Sequence, residues 1–193
     1  MNRRPRIVLG LTGASGAAIG LRLAELLAGA EVHLVVTAAG ERTLREEVGA
    51  DALDRLEGLV HRRHPIGDIG AAIASGSFAT EGMIVAPCSM RAVGAIAASL
   101  ADDLLVRAAD VHLKERRPLV LIARESPLHL GHLRAMAAVT EYGAVVAPPV
   151  PAFYLRPATV DDVVDQIARR AIALLRVPDL PEPTAWLGEG PAP

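Results

Sequence analysis

Short apolar runs recur along this sequence, and their spacing constrains the fold more than any other feature. The runs lie at residues 6–11, 32–37, 82–86, 118–122 and 144–147. Most are rich in valine and isoleucine without polar alternation, which is typical of parallel strands covered on both faces. Helical periodicity follows at residues 17–27, 38–48, 91–100, 104–115, 128–139 and 159–175. The alternation predicts an α/β fold, a single doubly wound domain of Rossmann-like or flavodoxin-like type with a mostly parallel sheet and helices on both faces.

Length and composition fit one such domain. The chain has 193 residues, of which 51% are hydrophobic, and this is enough for a sizeable core. We predict that the domain covers residues 1–176 and that a proline-rich tail covers residues 177–193. The pattern is weaker over residues 50–81, where we expect a loop with a short helix.

The charge balance and the cysteine count limit the classes of partner and compartment. A formal net charge of −2 gives no overall attraction to nucleic acid or to an anionic membrane. The single cysteine, Cys88, cannot form an internal disulfide and suits a reducing compartment. The first apolar stretch, residues 7–11, is too short for a signal peptide or a membrane span. We therefore expect a cytoplasmic protein that binds neither nucleic acid nor membrane.

Polar residues that follow the predicted strands indicate a binding site. Ligands of doubly wound sheets bind at the carboxyl ends of the strands. The residues at those ends include Ser15, Thr37, Ser89, Arg124 and Glu125. Because these positions meet at one edge of the sheet, we expect a crevice lined by hydroxyl and charged groups there.

The first of these edges favours a mononucleotide over a dinucleotide. The turn from Gly13 to Gly16 opens a helix and predicts anion binding through free amides. An NAD site would place an acidic residue at the end of the second strand, where this chain has Thr37. A short-chain dehydrogenase would need a lysine four residues after a tyrosine, and Val146 and Ala158 stand at those positions. A nucleotide such as FMN fits these residues better.

Five stretches resemble the flavin prenyltransferases of the UbiX/Pad type over nearly the whole chain. They read GLTGASGA, GMIVAPCSM, RAADVHLKERRPLVLIARESPLHLGHLRAM, GAVVAPPVPAFY and QIARRA. The resemblance implies an enzyme that transfers a dimethylallyl group from dimethylallyl monophosphate to N5 and C6 of reduced FMN, without a metal. It further implies that the product, prenylated FMN, passes to an apo UbiD-type decarboxylase. It also implies a homododecamer with active sites at subunit contacts.

The resemblance also assigns roles to individual residues. The flavin contacts are expected at Gly13, Ala14, Ser15, Thr37, Ser89, Met90, Arg91, Ala92 and Arg124. The allylic phosphate is expected near Arg107, Lys114, Arg124, Tyr154 and Arg170. Glu125 and Ser15 match the proton-handling groups, and Glu47 falls on a further site position.

General chemistry supports these residue types. A phosphate that leaves an allylic carbon develops negative charge on oxygen, and fixed cations near that oxygen lower the barrier. The carbon cation is stabilised by a dry π face, which Tyr154 and Trp186 can supply beside the flavin. Lys114 is the only lysine among 20 basic residues, which suggests a need for a compact ammonium, although chance explains it equally well.

Several assignments have ordinary structural alternatives. Ser15 could cap the first helix. Arg107 could pair with an aspartate on a solvated helix face. Glu125 could form a loop ion pair with Arg124, and Cys88 is more typical of a buried filler than of a nucleophile. The histidine pairs 61/64 and 129/132 lack a third ligand in register, so we predict no metal site.

Two other functions are compatible with parts of this sequence. The peptidyl-cysteine decarboxylases resemble the chain around GMIVAPCSM, but they carry an asparagine where this chain reads Met90-Arg91. Asn2 is the only asparagine, which argues strongly against that group. A non-catalytic flavin carrier, or an accessory subunit of an aromatic-acid decarboxylase, stays open as an alternative.

Overall fold

A six-stranded parallel sheet with helices on both faces organises the chain. The computed structural model describes residues 3–186. The strands are β1 (Arg6–Leu11), β2 (Glu31–Val36), β3 (Arg62–His64), β4 (Gly82–Cys88), β5 (Leu119–Ala123) and β6 (Val145–Val146). The helices are α1 (Ala17–Leu26), α2 (Ala38–Glu47), α3 (Ala52–Leu59), α4 (Met90–Ala97), α5 (Leu104–Lys114), α6 (Leu130–Glu141) and α7 (Val160–Ala173).

The strand order places a crevice at the centre of the sheet. The order is β3-β2-β1-β4-β5-β6, and every neighbouring pair is parallel. The chain direction across the sheet reverses between β1 and β4, so the connections that leave these two strands go to opposite faces. Ligands of doubly wound folds bind at such a reversal. The predicted fold class is confirmed.

Burial on both faces explains the lack of alternation in the strands. In β1, Ile7 and Leu9 point to the core shared with α1, α2, α3 and α7, whereas Val8 points to the core shared with α4, α5 and α6. Successive side chains of a strand point to opposite faces, so a strand covered on both sides needs apolar residues throughout.

Residues 50–81 contain more regular structure than their pattern predicts. The edge strand β3 has only three residues, all basic or histidine, which is how exposed sheet edges avoid pairing with other chains. Helix α3 buries only Ala52 and Leu56, four residues apart. The expected short helix is a 3-10 turn at Ala72–Ala74.

The tail has no helix or strand over residues 177–186. Its side chains Val177 and Leu180 pack against the core beside α7. The remainder of the predicted tail, residues 187–193, lies outside the described residues. Among residues 3–186 no helix combines the length and the apolar character that a bilayer span requires.

A buried histidine in α5 is held neutral by its surroundings. His112 is 1% exposed, with Nδ1 at 2.7 Å from the Ala108 carbonyl and Nε2 at 2.9 Å from the Thr80 hydroxyl. The carbonyl can only accept, so Nδ1 carries the proton and Nε2 accepts from Thr80. Burial lowers the pKa of His112 to about 4.

We expect acid to weaken the fold through this histidine. The unfolded imidazole binds a proton near pH 6.5, whereas the folded one does so only near its pKa of about 4. The unfolded state therefore binds more protons in this window, and the free energy of unfolding falls as the pH drops from 6.5 towards 4. The contribution of His112 is of the order of 3 kcal/mol. Chemical denaturation across this range should show a smaller loss for His112→Gln than for the wild type, and equal losses would contradict the assignment.

Candidate active site

The loop after β1 lies against one face of α2. Positions 39 and 43 are neighbours on that face because they are four residues apart. A Cβ built on Gly13 would lie 2.5 Å from the Cβ of Ala39, so glycine is required for this close approach. The Thr43 hydroxyl donates to the Gly13 carbonyl at 3.3 Å. The loop is thus shaped by α2 before any ligand binds.

The next turn of α2 supplies a carboxylate to the start of α1. The Glu47 side chain accepts hydrogen bonds from the amides of Gly16 and Ala17, each at 2.9 Å. The N-cap of α1 is Gly16, without a side-chain cap, so the capping interpretation of Ser15 is wrong. The prediction that these first amides are free for a ligand anion is also corrected. They are held by Glu47, which is 31 and 30 positions away from them in the chain, so the sequence pattern does not reveal the contact.

Electrostatics keep Glu47 charged. Partial burial alone would raise the pKa of this carboxyl. Hydrogen bonds from Ser15 and from the Gly16 and Ala17 amides, together with the charge of Arg124, outweigh burial and lower the pKa below its ordinary value. Glu47 is therefore ionised at neutral pH, and Arg124 and Ser15 lie within its reach at the same edge of the sheet.

Replacing Glu47 with glutamine should loosen the start of α1. The variant loses a charged acceptor at a helix N-terminus, and we expect the free energy of unfolding to fall by about 1 kcal/mol at neutral pH. Because the folded pKa is depressed, this contribution is present above the ordinary glutamate pKa and is lost as the pH falls through the folded pKa. Urea denaturation measures the change. Glu46→Gln is the matched control, since Glu46 forms only an exposed pair with Arg42.

Two more helices begin at this edge and are capped by hydroxyl residues. Thr37 accepts from the Gly40 amide at 3.0 Å, and Ser89 accepts from the Ala92 amide at 3.3 Å. The side chains of Met90 and Ala92 are buried, so these residues offer only their backbone to a ligand. The first amides of a helix have no intrahelical acceptor. The starts of α2 and α4 therefore present donors to an anionic or carbonyl group.

A buried threonine, which sequence reasoning left without a role, joins the loops on either side of the crevice. The Thr12 hydroxyl donates to the Pro87 carbonyl at 2.8 Å and accepts from the Ser89 amide at 2.8 Å. The Arg124 amide bonds to the Cys88 carbonyl at 3.0 Å. The only sequence feature that points to this role of Thr12 is its position directly after an apolar strand. The loops after β1, β4 and β5 are therefore fixed to one another.

The neighbouring cysteine is not a nucleophile in this geometry. Cys88 is fully buried, and burial raises the pKa of its thiol to about 12. The thiol stays protonated, as the filler interpretation predicts.

Two arginines form ordinary ion pairs in the isolated chain. The Arg91 guanidinium lies 3.1 Å from the carboxylate of Asp103, the N-cap residue of α5. Arg107 pairs with Asp110 at 2.9 Å, as its structural alternative predicts.

A cavity of about 680 Å³ brings together three other predicted residues. It lies between α7, residues 147–155 and the tail, and its lining includes Tyr154, Arg170 and Trp186. The rings of Tyr154 and Trp186 meet edge to face with centroids 5.1 Å apart. Arg170 is exposed and has no ion-pair partner within residues 3–186. The two aromatic rings thus share one space with Arg170 and with Arg169, which pairs with Asp165 in the same lining.

The structure does not gather all predicted residues around one cavity in a single chain. Helix α5 ends where β5 begins, so Lys114 lies at the amino edge of the sheet, where it pairs with Glu115. Arg124 follows the other end of β5, about 16 Å away along a strand of five residues. Neither Lys114 nor Arg124 lines the cavity around Arg170. The expectation of one shared rim is therefore not met within one copy of the chain.

The remaining candidates have simple surroundings. Glu125 is exposed, accepts from the Ser126 amide at 3.1 Å and forms no ion pair with Arg124 in the described part of the chain. His129 caps α6 by accepting from the Gly131 amide at 3.0 Å, which explains its position. Within residues 3–186, no three His, Cys, Asp or Glu side chains are grouped to hold a metal ion.

The fold and this edge define the class of the protein. A doubly wound sheet whose central crevice is bordered by capped helix starts is a nucleotide-binding α/β protein. The sequence model of the Flavoprotein family matches residues 1–172.

Individual relatives narrow the class. Flavin prenyltransferase UbiX of Thauera aromatica is 52% identical over 169 residues, which cover 86% of this chain and 87% of the relative. Flavin prenyltransferase UbiX of Escherichia coli K12 is 49% identical over 170 residues, or 86% and 89% of the two chains. This chain belongs to the UbiX family of flavin prenyltransferases.

Solved structures of similar proteins support the same family. AnUbiX (PadA1), solved in complex with FMN and dimethylallyl pyrophosphate, matches with a TM-score of 0.91 and 43% identity over 96% of this chain and 99% of the other. The dodecameric FMN-dependent UbiX-like decarboxylase of Escherichia coli O157:H7 matches with a TM-score of 0.89 and 40% identity, over 95% and 100%.

Proposed function

We propose that this protein is a flavin prenyltransferase that transfers a dimethylallyl group from dimethylallyl monophosphate to reduced FMN. The observation that carries the proposal is an identity of 52% with an enzyme of this activity over 86% of the chain. The hydroxyl-capped crevice and the separate clusters of cations supply the residue types that two phosphate esters need.

The crevice fits FMN. Gly13 is a position where a Cβ would collide with Ala39, so glycine lets the loop after β1 pack closely on α2 beside the crevice. The capped starts of α2 and α4, at Thr37 and Ser89, present amide donors, and Arg124 adds a cation. The amides of α1 are already held by Glu47, so we place the phosphate of FMN away from them. When bound, reduced FMN supplies the nucleophilic ring atoms N5 and C6.

The allylic phosphate needs cations that stay in place while negative charge grows on the leaving oxygen. We assign this role to Lys114, Arg107 and Arg170. Lys114 and Arg107 are seven residues apart on α5 and share one helix face. Fixed charges of this kind stabilise the departing phosphate without a metal ion.

We infer that neighbouring copies of the chain complete the active site. Lys114 and Arg124 lie at opposite edges of the sheet of one chain, so they can serve one substrate only if they come from different copies. A relative with 40% identity is dodecameric. We therefore propose a homo-oligomer, a dodecamer by resemblance, in which the face of α5 carrying Lys114 packs against the crevice of another copy.

Glu125 handles the proton that the new bond at C6 releases. It lies directly after β5, beside Arg124, and is exposed in the single chain without a cationic partner among residues 3–186. A carboxylate that is not neutralised by an ion pair is available as a base. Tyr154 and Trp186 shield the allylic chain from water on the cavity side.

The product has a consumer of a defined class. We propose that prenylated FMN is delivered to an apo UbiD-type decarboxylase. We also propose a cytoplasmic location, because the only cysteine is a buried free thiol.

Anaerobic incubation with reduced FMN and dimethylallyl monophosphate tests the function. Mass and absorbance of the extracted flavin should show one added dimethylallyl group and the fourth ring. FMN that binds but is recovered unchanged would instead support the alternative of a non-catalytic flavin carrier or an accessory subunit of a decarboxylase.

A further inference from the structure

Two arginines, Arg107 on α5 and Arg117 shortly after it, donate hydrogen bonds to the backbone of residues 74–78. Arg107 Nε donates to the Ala74 carbonyl at 3.2 Å. One terminal nitrogen of Arg117 donates to the Phe78 carbonyl at 2.9 Å, and the other donates to the Gly76 carbonyl at 2.6 Å. Three carbonyls in five residues are thus held by side chains, although the segment has no regular structure beyond the turn that ends at Ala74.

The Arg117 guanidinium is itself held in place by a chain of hydrogen bonds through buried side chains. It donates to the Thr80 hydroxyl at 3.2 Å, and that hydroxyl donates to His112, whose other nitrogen is fixed on the Ala108 carbonyl. Thr80 and His112 are both buried. The chain of hydrogen bonds leaves Arg117 with one orientation relative to α5.

The far end of the segment is anchored as well. The Phe78 ring meets His33 edge to face with centroids 5.2 Å apart, and the Arg6 guanidinium lies 4.6 Å from the ring centroid. Neither contact involves a residue of the proposed substrate site. The Phe78 end of the segment is therefore fixed by groups outside the proposed substrate site, whereas its Ala74 end is held by Arg107.

The middle of the segment touches the charged end of α5. A Cβ built on Gly76 would lie 2.7 Å from Lys114 Nζ and would also collide with the Glu115 carboxylate. Lys114 is ion-paired with that carboxylate. The backbone at Gly76 thus forms one wall of the space in which the ammonium of Lys114 lies.

We propose that Arg117 is a positioning residue that acts through the segment 74–78 to fix the ammonium of Lys114 for the allylic phosphate. This inference rests on the proposed function, in which Lys114 binds that phosphate. Arg117 does not touch the substrate. Its planar fork reaches two carbonyls in different directions, which a lysine ammonium on a flexible stem cannot reproduce.

Steady-state kinetics of Arg117→Ala test the inference. We expect the KM for dimethylallyl monophosphate to rise between about tenfold and a hundredfold, because a misplaced group loses most of its benefit. The Kd for FMN should stay at the wild-type value. Arg117→Lys should raise the KM as Arg117→Ala does, because lysine keeps the charge but not the planar fork that positions the segment. Arg116→Ala is the matched control, because Arg116 is the exposed neighbour and holds no carbonyl of the segment.

A double-mutant cycle separates positioning from general damage. If Arg117 acts through Lys114, Arg117→Ala should have no further effect on KM in a Lys114→Met background. An equal rise in both backgrounds would overturn the inference. A normal KM for Arg117→Ala beside an impaired Lys114→Met would also overturn it while leaving the proposed function intact. Failure of the wild type to prenylate FMN would overturn the proposed function itself.

Gly76→Ala provides a second variant in case Arg117→Ala does not fold. The new methyl group meets the flexible ends of Lys114 and Glu115, which can move, so the melting temperature should be unchanged. The displaced ammonium should raise the KM for dimethylallyl monophosphate, and only where Lys114 is present. A wild-type KM for Gly76→Ala would overturn the inference.

Discussion

Lys114→Met should lower kcat/KM for dimethylallyl monophosphate by about a hundredfold to a thousandfold, because one preorganised donor to the departing phosphate is lost. The affinity for FMN should not change, since the role assigned to Lys114 is to bind the allylic phosphate and not the flavin. Stopped-flow kinetics under anaerobic conditions, with FMN binding measured separately, provide both quantities.

Lys114→Arg is the informative control for this variant. It keeps the charge and replaces a compact ammonium with a wider planar group in a space bounded by Gly76. We expect an intermediate loss of activity. Wild-type kinetics for Lys114→Arg would mean that charge alone is required, and wild-type kinetics for Lys114→Met would remove Lys114 from the site.

Glu125→Gln should bind FMN normally and fail at ring closure. An amide cannot accept the proton released at C6, and loss of a general base commonly slows a step by about a hundredfold to ten-thousandfold. The extracted flavin should carry the mass of one dimethylallyl group without the absorbance of the closed ring.

Glu141→Gln is the matched control for Glu125→Gln, since Glu141 is an exposed carboxylate at the end of α6. It should form the closed product at the wild-type rate. Normal ring closure by Glu125→Gln would exclude this carboxylate from proton transfer.

The larger elements of the fold could be predicted because their signals are local. A strand such as β1 is buried on both faces and must be apolar throughout, and α7 begins with a Thr159 capping box that the sequence displays. Strand β3 could not be predicted, because its three polar residues join the sheet only by pairing with β2. Tertiary pairing, not local pattern, makes that segment a strand.

Some residues of the candidate site could likewise be predicted from the sequence, and others could not. Residues that directly follow strands, such as Thr37 and Ser89, were predictable from topology, since parallel strands bring their carboxyl ends to one edge. The cap formed by Glu47 depends on how α2 lies across α1. The distance between Lys114 and Arg124 depends on the direction of α5, and their meeting depends on a second copy of the chain. No pattern within one sequence encodes these relations locally.

Subunit complementation tests most directly whether Glu125 of one copy and Lys114 of another form one active site. Glu125→Gln and Lys114→Met chains, each inactive alone, would be co-expressed and purified as mixed oligomers. If one active site takes Glu125 from one copy and Lys114 from another, about one site in four is intact in an equal mixture, and full prenylation should reappear at that level. Mixed oligomers as inactive as the two parents would show that the two residues do not meet across subunits, and would contradict the account.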